Sequence, residues 1–179
     1  MIRLPSASAG AAPPQEILRP VRTSYIAITL LVALALNLLI LPGFMQVLRP
    51  DFIALTLIYW VVYHPRRVGF LPAWLLGLAM DVADGSLFGQ HAFAYAVLMY
   101  LSILLHRRIV MFGMRHQVLH VVAILGVSQL VMLVIRLMAG ADFPNVLYFA
   151  PSIVGALAWP PLFNLIRVPL RPRADPDAV

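Results

Sequence analysis

Residues 24–41 have the sequence SYIAITLLVALALNLLIL, an apolar run of 18 residues without a charge. An α-helix needs roughly 20 apolar residues to cross the hydrocarbon core of a bilayer. The run therefore predicts a membrane-spanning helix. A secretory signal peptide is the competing interpretation, because Arg19 and Arg22 precede the run. We expect no cleavage, since the run is longer than a usual signal core and ends in LPGF at residues 41–44, without a small-x-small site.

The composition of the whole chain points the same way. Apolar residues make up 62% of the 179 residues and charged residues 11%, against roughly 45–50% and 25% in soluble domains. A soluble globule of this size cannot hide that much apolar surface, so an integral membrane protein is predicted. The net charge of +6 comes from 13 arginines, which we place at membrane edges. This composition excludes a soluble enzyme, a disordered tail protein and a nucleic-acid binder. The absence of cysteine excludes disulfides and thiol chemistry.

Five further apolar stretches follow the first one. They cover residues 51–64, 68–89, 91–105, 117–139 and 146–166. The sequence thus predicts an all-α membrane protein with six transmembrane helices and short loops over residues 24–168. Residues 1–23 are expected to form a flexible N-terminal tail and residues 169–179 a C-terminal tail. No room remains for a soluble domain.

The arginine positions predict the orientation. With six spans, two arginines, Arg49 and Arg136, fall on one side of the membrane. The other eleven fall on the opposite side: Arg3, Arg19, Arg22, Arg66, Arg67, Arg107, Arg108, Arg115, Arg167, Arg171 and Arg173. Short loops follow the positive-inside rule well, so both termini are predicted to be cytoplasmic.

The segment DVADG at residues 81–85 is the most unusual one, because a carboxylate inside a span is costly and marks a functional site. One interpretation makes Asp81 a cation or proton site, or a buried contact to a partner helix. The other places both acids near the far interface, where Asp81 caps or hydrogen-bonds a neighbour and Asp84 is solvated. Helical spacing puts five residues on one face: Trp74, Gly77, Asp81, Asp84 and Phe88.

Arg136 lies within the fifth predicted span and has two possible roles. It either pairs with Asp81 or Asp84 on the same side of the membrane, or extends its side chain to the interface. We prefer the second role. Three glycines are predicted to let helices approach closely: Gly77, Gly126 and Gly155. Four aromatic residues are interpreted as interfacial or packing residues: Tyr59, Trp60, Tyr63 and Trp74.

No catalytic, metal or cofactor site is predicted. The pattern D-x-x-D-G at residues 81–85 also opens the metal-binding signature of CDP-alcohol phosphotransferases, but no second acidic pair follows. His116 and His120 share a helix face without a nearby carboxylate, and a metal site needs three or four converging ligands. The sequence GVSQ at residues 126–129 lacks the closing glycine of an intramembrane serine peptidase motif.

A series of short motifs between residues 49 and 105 carries a family resemblance. The motifs are RPDF at 49–52, YW at 59–60, HPRRVG at 64–69, AW at 73–74, GL at 77–78, Asp81, Gly85 and LFGQHA at 87–92. As a set they resemble the rod shape-determining protein MreD family. The motifs cover about a third of the chain, and the remainder matches only in hydropathy.

The resemblance implies a non-catalytic component of the bacterial inner membrane that needs no cofactor. Such proteins belong to the elongasome, the machinery that controls cell shape and peptidoglycan synthesis in rod-shaped cells. The implied partners are a bitopic MreC-like protein and, through it, the actin-like MreB, a RodA-type glycosyltransferase and a class B penicillin-binding protein, together with membrane lipid. Partner-contact or structural roles are expected for Pro50, Tyr59, Trp60, Trp74, Gly77, Asp81, Asp84, Gly85 and Arg136.

The implied fold is similar to the six-helix substrate-binding subunits of energy-coupling-factor transporters. This similarity supplies the alternative function, a small-molecule-binding membrane subunit of a transporter. Such a binder needs converging polar groups on the far-side loops. Those loops offer Arg49, Asp51, Gln90, His91, Asp142 and Asn145.

Overall fold

The computed structural model describes residues 21–170, and all regular structure in that part is helical. The helices are α1 Thr23–Asn37, α2 Phe44–Leu48, α3 Phe52–Tyr63, α4 Phe70–Ala83, α5 Gln90–Met111, α6 Met114–Met138, α7 Ala150–Leu157 and α8 Trp159–Arg167. Short 3-10 segments precede α7 and follow α8. The all-α prediction is confirmed for this part of the chain. Almost all of the two predicted tails, residues 1–20 and 171–179, lies outside the described residues.

The long helices form an up-and-down bundle around α3. Nearly every side chain of α3 is buried, and α1 and α5 pack on either side of it. The start of α3, the end of α4 and the start of α5 meet at one end of the bundle, which we call the cavity end. The opposite end, which we call the arginine end, holds most arginines of the described residues. Arg49 and Arg136 lie at the cavity end, in agreement with the predicted asymmetry.

Three helical stretches are long and apolar enough to cross a membrane: Phe44–Tyr63, Gln90–Met111 and Met114–Met138. A fourth candidate is the pair Val146–Leu157 and Trp159–Leu170, which is bent by 42°. Helices α1 and α4 are apolar but have 15 and 14 residues. At 1.5 Å per residue they reach roughly 22 Å, short of the roughly 30 Å hydrocarbon core. Six spans therefore remain a prediction.

The third predicted span ends earlier than the hydropathy indicates. Helix α4 stops at Ala83, and Gly85 takes a positive φ of 60° that turns the chain away from the helix axis. Phe88 lies in the loop beyond this turn, so its predicted place on the same helix face as Gly77 and Asp81 is wrong. The prediction fails because the polar residues at 84–86 form a turn that glycine adopts easily, and the apolar pattern resumes only after it.

The bounds of the other spans shift for local reasons. Helix α1 ends at Asn37, four residues before its apolar run does. Helix α5 continues past the predicted end at residue 105 to Met111, because arginine side chains at a helix end can extend to the interface. The sixth stretch is divided between α7 and α8, and Pro160 and Pro161 occupy the first turn of α8, where a missing N–H is tolerated.

An aromatic cluster fills the bundle interior on the side of α3 nearer the arginine end. The Trp60 ring is fully buried, and its Nε1 donates to Thr29 Oγ1 at 2.9 Å. Tyr59 packs against the rings of Trp159 and Phe163, both on α8. Both residues therefore lie in the interior and not at an exposed interface. They hold α1, α3 and α8 together.

Candidate functional site

A polar cavity of about 580 Å³ opens at the cavity end of the bundle. It lies between the start of α3, the loop between α4 and α5, the second half of α6 and the start of α7. Its polar lining residues are Asn37, Arg49, Asp51, Asp84, Ser86, Gln90, His91, Ser128, Gln129, Arg136, Tyr148 and Ser152. An open space with this many hydrogen-bonding groups is the main binding feature of the described residues.

The Asp81 carboxylate organises the loop between α4 and α5. The side chain is buried, with 1% of the residue exposed, and it accepts four hydrogen bonds or contacts from the loop and the start of α5. Gly89 N donates to Oδ2 at 2.8 Å, and His91 N donates to Oδ1 at 2.7 Å. Ser86 Oγ and the ring nitrogen Nδ1 of His91 contact the same Oδ1 at 3.0 and 2.9 Å. Asp81 therefore caps the start of α5 from the neighbouring helix.

The His91 ring lies between two carboxylates. Its Nδ1 contacts Asp81, and its Nε2 lies 3.6 Å from Asp84 Oδ2. Among the described residues these are the ion pairs within 4.0 Å, apart from any contact of Arg167. The predicted alternative in which Arg136 pairs with Asp81 or Asp84 is therefore wrong for this structure. The acids instead have a histidine partner on the next helix.

Gly77 sets the distance between α4 and α5. A Cβ atom at this position would lie 2.3 Å from the Cα of Ala92 and 2.5 Å from its backbone nitrogen. Because the neighbour is backbone, no side-chain rotation can relieve the contact. The predicted close approach is present at Gly77, and Gly155 lies near the Leu125 side chain. It is wrong for Gly126, where a Cβ would meet no described atom within 4 Å.

A second polar cluster joins α1, α3 and α5 at the wall of the cavity. The Asp51 side chain caps α3 by accepting from Ala54 N at 2.9 Å, and it also accepts from Asn37 Nδ2 at 2.8 Å and Tyr95 Oη at 2.7 Å. Asn37 Oδ1 in turn accepts from Phe52 N at 2.9 Å. The Asp51 carboxylate thus accepts hydrogen bonds from three helices and stabilises their packing.

A third polar contact joins α6 to the start of α7. The Gln129 side chain donates to the Tyr148 carbonyl and accepts from Ser152 Oγ. Asn37, Gln129 and Ser152 line the cavity and were not predicted as site residues, and neither was Tyr95, the buried partner of Asp51. A polar amide inside an otherwise apolar run is a sequence signal, and both Asn37 and Gln129 show it. The pairing of these residues requires the fold.

The predicted site residues separate into two groups. Pro50, Asp84, Gly85 and Arg136 line the cavity. The remaining five lie elsewhere: Tyr59 and Trp60 in the interior, Gly77 and Asp81 in the contact between α4 and α5, and Trp74 partly exposed on α4. Of the far-side polar residues expected for a binder, Arg49, Asp51, Gln90 and His91 line the cavity, whereas Asp142 and Asn145 do not.

The sequence model of the rod shape-determining protein MreD family matches residues 19–168. The chain belongs to the MreD family. The match includes both ends of the bundle and all residues that line the cavity, so the resemblance inferred from the motifs is confirmed. This family comprises rod shape-determining proteins of the cell-shape machinery, and it is not a known enzyme family. The apolar helices of the chain agree with a membrane protein.

A curated relative supports the assignment to the MreD family. The chain is 28% identical over 136 residues to the rod shape-determining protein MreD of Haemophilus influenzae. The aligned region covers 76% of this chain and 84% of the relative. No solved structure matches the chain.

Proposed function

We propose that this MreD-family chain is a multi-pass, non-catalytic inner-membrane component of the bacterial elongation machinery. It crosses the membrane six times with both termini in the cytoplasm. Its role is to hold a bitopic MreC-like protein, and through it MreB, RodA and penicillin-binding partners, and so to regulate cell shape and peptidoglycan synthesis. The family match over residues 19–168 is the observation that carries this proposal.

The exposed side of α4 is the proposed contact for the single membrane helix of the bitopic partner. The opposite side of α4 packs on α5 through Gly77, so it is not available to another protein. Trp74 and Leu75 are exposed on α4, as is Leu71 one turn earlier. Aromatic and aliphatic side chains at this spacing form a continuous apolar strip on a helix.

Gly77 and Asp81 are proposed to act within the bundle rather than on a partner. Both are buried, and their contacts are to α5 and to the loop before it. Pro50, Gly85 and Arg136 are proposed to shape the cavity that they line. Tyr59 and Trp60 support these parts from the interior.

Depletion of the protein in its own host tests the proposed function. Rod-shaped cells should become round and swell, and a wild-type copy should restore them. Unchanged shape in a host without a second copy would contradict the proposal. Photo-crosslinking from position 74 should capture the bitopic partner, whereas the same probe at Leu31, which is exposed on α1, is the matched control. Equal capture from both positions would contradict the assignment to α4.

The Asp81→Asn variant tests the role of the carboxylate in cells. We expect rounder cells, because one oxygen that accepts from backbone N–H is replaced by an amide donor. The Asp142→Asn variant is the control, since Asp142 is exposed and does not line the cavity. Normal shape at normal protein level in Asp81→Asn would remove Asp81 from the functional residues. A C-terminal reporter that is active only in the periplasm would overturn the orientation.

A small-molecule-binding transport subunit is the second candidate function. The cavity volume of about 580 Å³ favours it, because ligand sites have volumes of roughly 300–1,000 Å³. This alternative predicts that depletion leaves cell shape unchanged and impairs uptake of a nutrient. The depletion experiment therefore separates the two functions.

A further inference from the structure

Two of the arginine and aspartate side chains that line the cavity are held by hydrogen bonds within the protein, and two others are not. Arg49 donates through Nη1 to the Leu39 carbonyl at 2.8 Å, and Asp51 is held by three donors from α1, α3 and α5. Both side chains therefore stabilise the walls of the cavity. Arg136 and Asp84 are the other arginine and aspartate that line it.

The Arg136 guanidinium makes no hydrogen bond or ion pair with any described residue, and the residue is exposed at the cavity. Among the described residues, the Asp84 carboxylate contacts His91 Nε2 at 3.6 Å, and the Asp84 side chain is 40% exposed. The cavity thus presents one guanidinium without a side-chain partner and one carboxylate whose side-chain partner is His91. A guanidinium binds phosphate or carboxylate groups with paired hydrogen bonds, and a carboxylate binds an ammonium group. The complementary ligand carries one charge of each sign.

Exposed apolar side chains lie close in sequence to the cavity lining. Phe88, Met138 and Phe143 are 72%, 84% and 70% exposed, and each lies within two residues of a lining residue. Apolar side chains of this kind contribute nothing to binding a water-soluble zwitterion. An amphiphile can place its acyl chains against them and its headgroup in the polar cavity.

We propose that this cavity binds the zwitterionic headgroup of a membrane lipid, with its phosphate on Arg136 and its ammonium group on Asp84. The proposal does not depend on the elongation role, because it rests on the cavity and its charges alone. Phosphatidylethanolamine is the simplest lipid of this chemistry. Phosphatidylglycerol has the phosphate but no ammonium group, and it therefore tests the contribution of Asp84.

The test is native mass spectrometry of the full chain, released from nanodiscs that contain equal amounts of the two lipids. We expect phosphatidylethanolamine to be retained preferentially. Arg136→Gln and Asp84→Asn should each weaken its binding about tenfold, since one charge-assisted hydrogen-bonding group is lost. Arg115→Gln, on the opposite end of the same helix, and Asp142→Asn are the matched controls, with changes below about twofold. Arg136→Lys and Asp84→Glu should retain most of the binding, which separates lost charge from misfolding.

Three outcomes would overturn the proposal. The first is equal retention of the two lipids, which would remove the ammonium contact. The second is equal weakening by the cavity variants and their controls. The third is binding of free glycerophosphoethanolamine as tight as that of the lipid, which would make a soluble zwitterion the ligand.

Discussion

Gly77→Ala adds one methyl group, and the structure predicts that this small change lowers stability strongly. A new Cβ would lie 2.3 Å from Ala92 Cα, 2.5 Å from Ala92 N and 2.8 Å from the His91 carbonyl carbon. Carbon atoms pack at about 3.5 Å or more, so α4 and α5 must separate by about 1.2 Å at this point. Overpacking of this kind costs about 1–3 kcal/mol.

The separation also strains the Asp81 cap, because the acceptor is on α4 and its donors are at the start of α5. Gly89 N and His91 N lie 2.8 and 2.7 Å from the carboxylate. A shift of about 1.2 Å lengthens both donor–acceptor distances to about 4 Å, which is beyond hydrogen-bond distance. A hydrogen bond to a charged group contributes about 1.5–3 kcal/mol. We therefore expect Gly77→Ala to lower the free energy of unfolding by at least about 3 kcal/mol.

The assay is equilibrium unfolding of the purified protein in mixed micelles, together with hydrogen exchange at the amides of residues 89–91. Gly126→Ala is the matched control, since a Cβ there meets no described atom within 4 Å and alanine favours a helix interior. Ala92→Gly should not rescue Gly77→Ala, because the clash is with the Ala92 backbone. Equal stability of the Gly77→Ala and Gly126→Ala proteins, or rescue by Ala92→Gly, would refute the reasoning.

Three further predictions concern stability. Asp51→Ala should lower the free energy of unfolding by at least about 2 kcal/mol, because it removes a helix cap and leaves the buried Tyr95 hydroxyl without its acceptor. Chemical unfolding measures this difference, and a loss no larger than that of an exposed-site variant would contradict the prediction. Gly155→Ala should change stability by less than about 1 kcal/mol, since the atom nearest to the new Cβ, at 3.1 Å, is the flexible end of the Leu125 side chain; a loss comparable to that of the α4 glycine variant would show that the side chain cannot move. Burial, and then the nearby Arg67, lower the pKa of His64 below 6.5. The folded protein therefore binds fewer protons here than the unfolded chain, so this contribution to stability is complete above about pH 6.5 and is lost as the pH falls below it. Unfolding midpoints between pH 8 and 5 test this, and an unchanged pH profile in His64→Gln would contradict it.

The helical class and the uneven distribution of arginines were predictable because both follow from local hydropathy and charge. The end of α4 was not predicted, because Leu87 and Phe88 resume the apolar pattern after the turn at Gly85. Asp81 was recognisable as unusual, since a carboxylate in an apolar run needs compensation. Its four partners were not predictable, because they depend on how the following loop folds back.

The cavity shows the same division between local and tertiary information. The predicted far-side residues Arg49 and Gln90 do line it. The fate of Arg136 could not be read from its depth in the sequence, because pairing and extension towards the surface place it on the same side. Tyr95 was not considered at all, since an isolated tyrosine in an apolar helix resembles an ordinary packing residue. Its bond to Asp51 spans 44 residues of sequence.

The local character of the Asp81 cap has a consequence for biogenesis. Every donor to the carboxylate comes from the ten residues that follow it, and Gly77 meets its neighbour at residue 92. Contacts at such short sequence separation close quickly, because little loop entropy is lost. The buried carboxylate thus has its hydrogen-bond donors as soon as the chain reaches the first turn of α5. If α4 spans the membrane as predicted, we expect α4 and α5 to insert as one closed hairpin before α6 is synthesised, with the carboxylate already hydrogen-bonded.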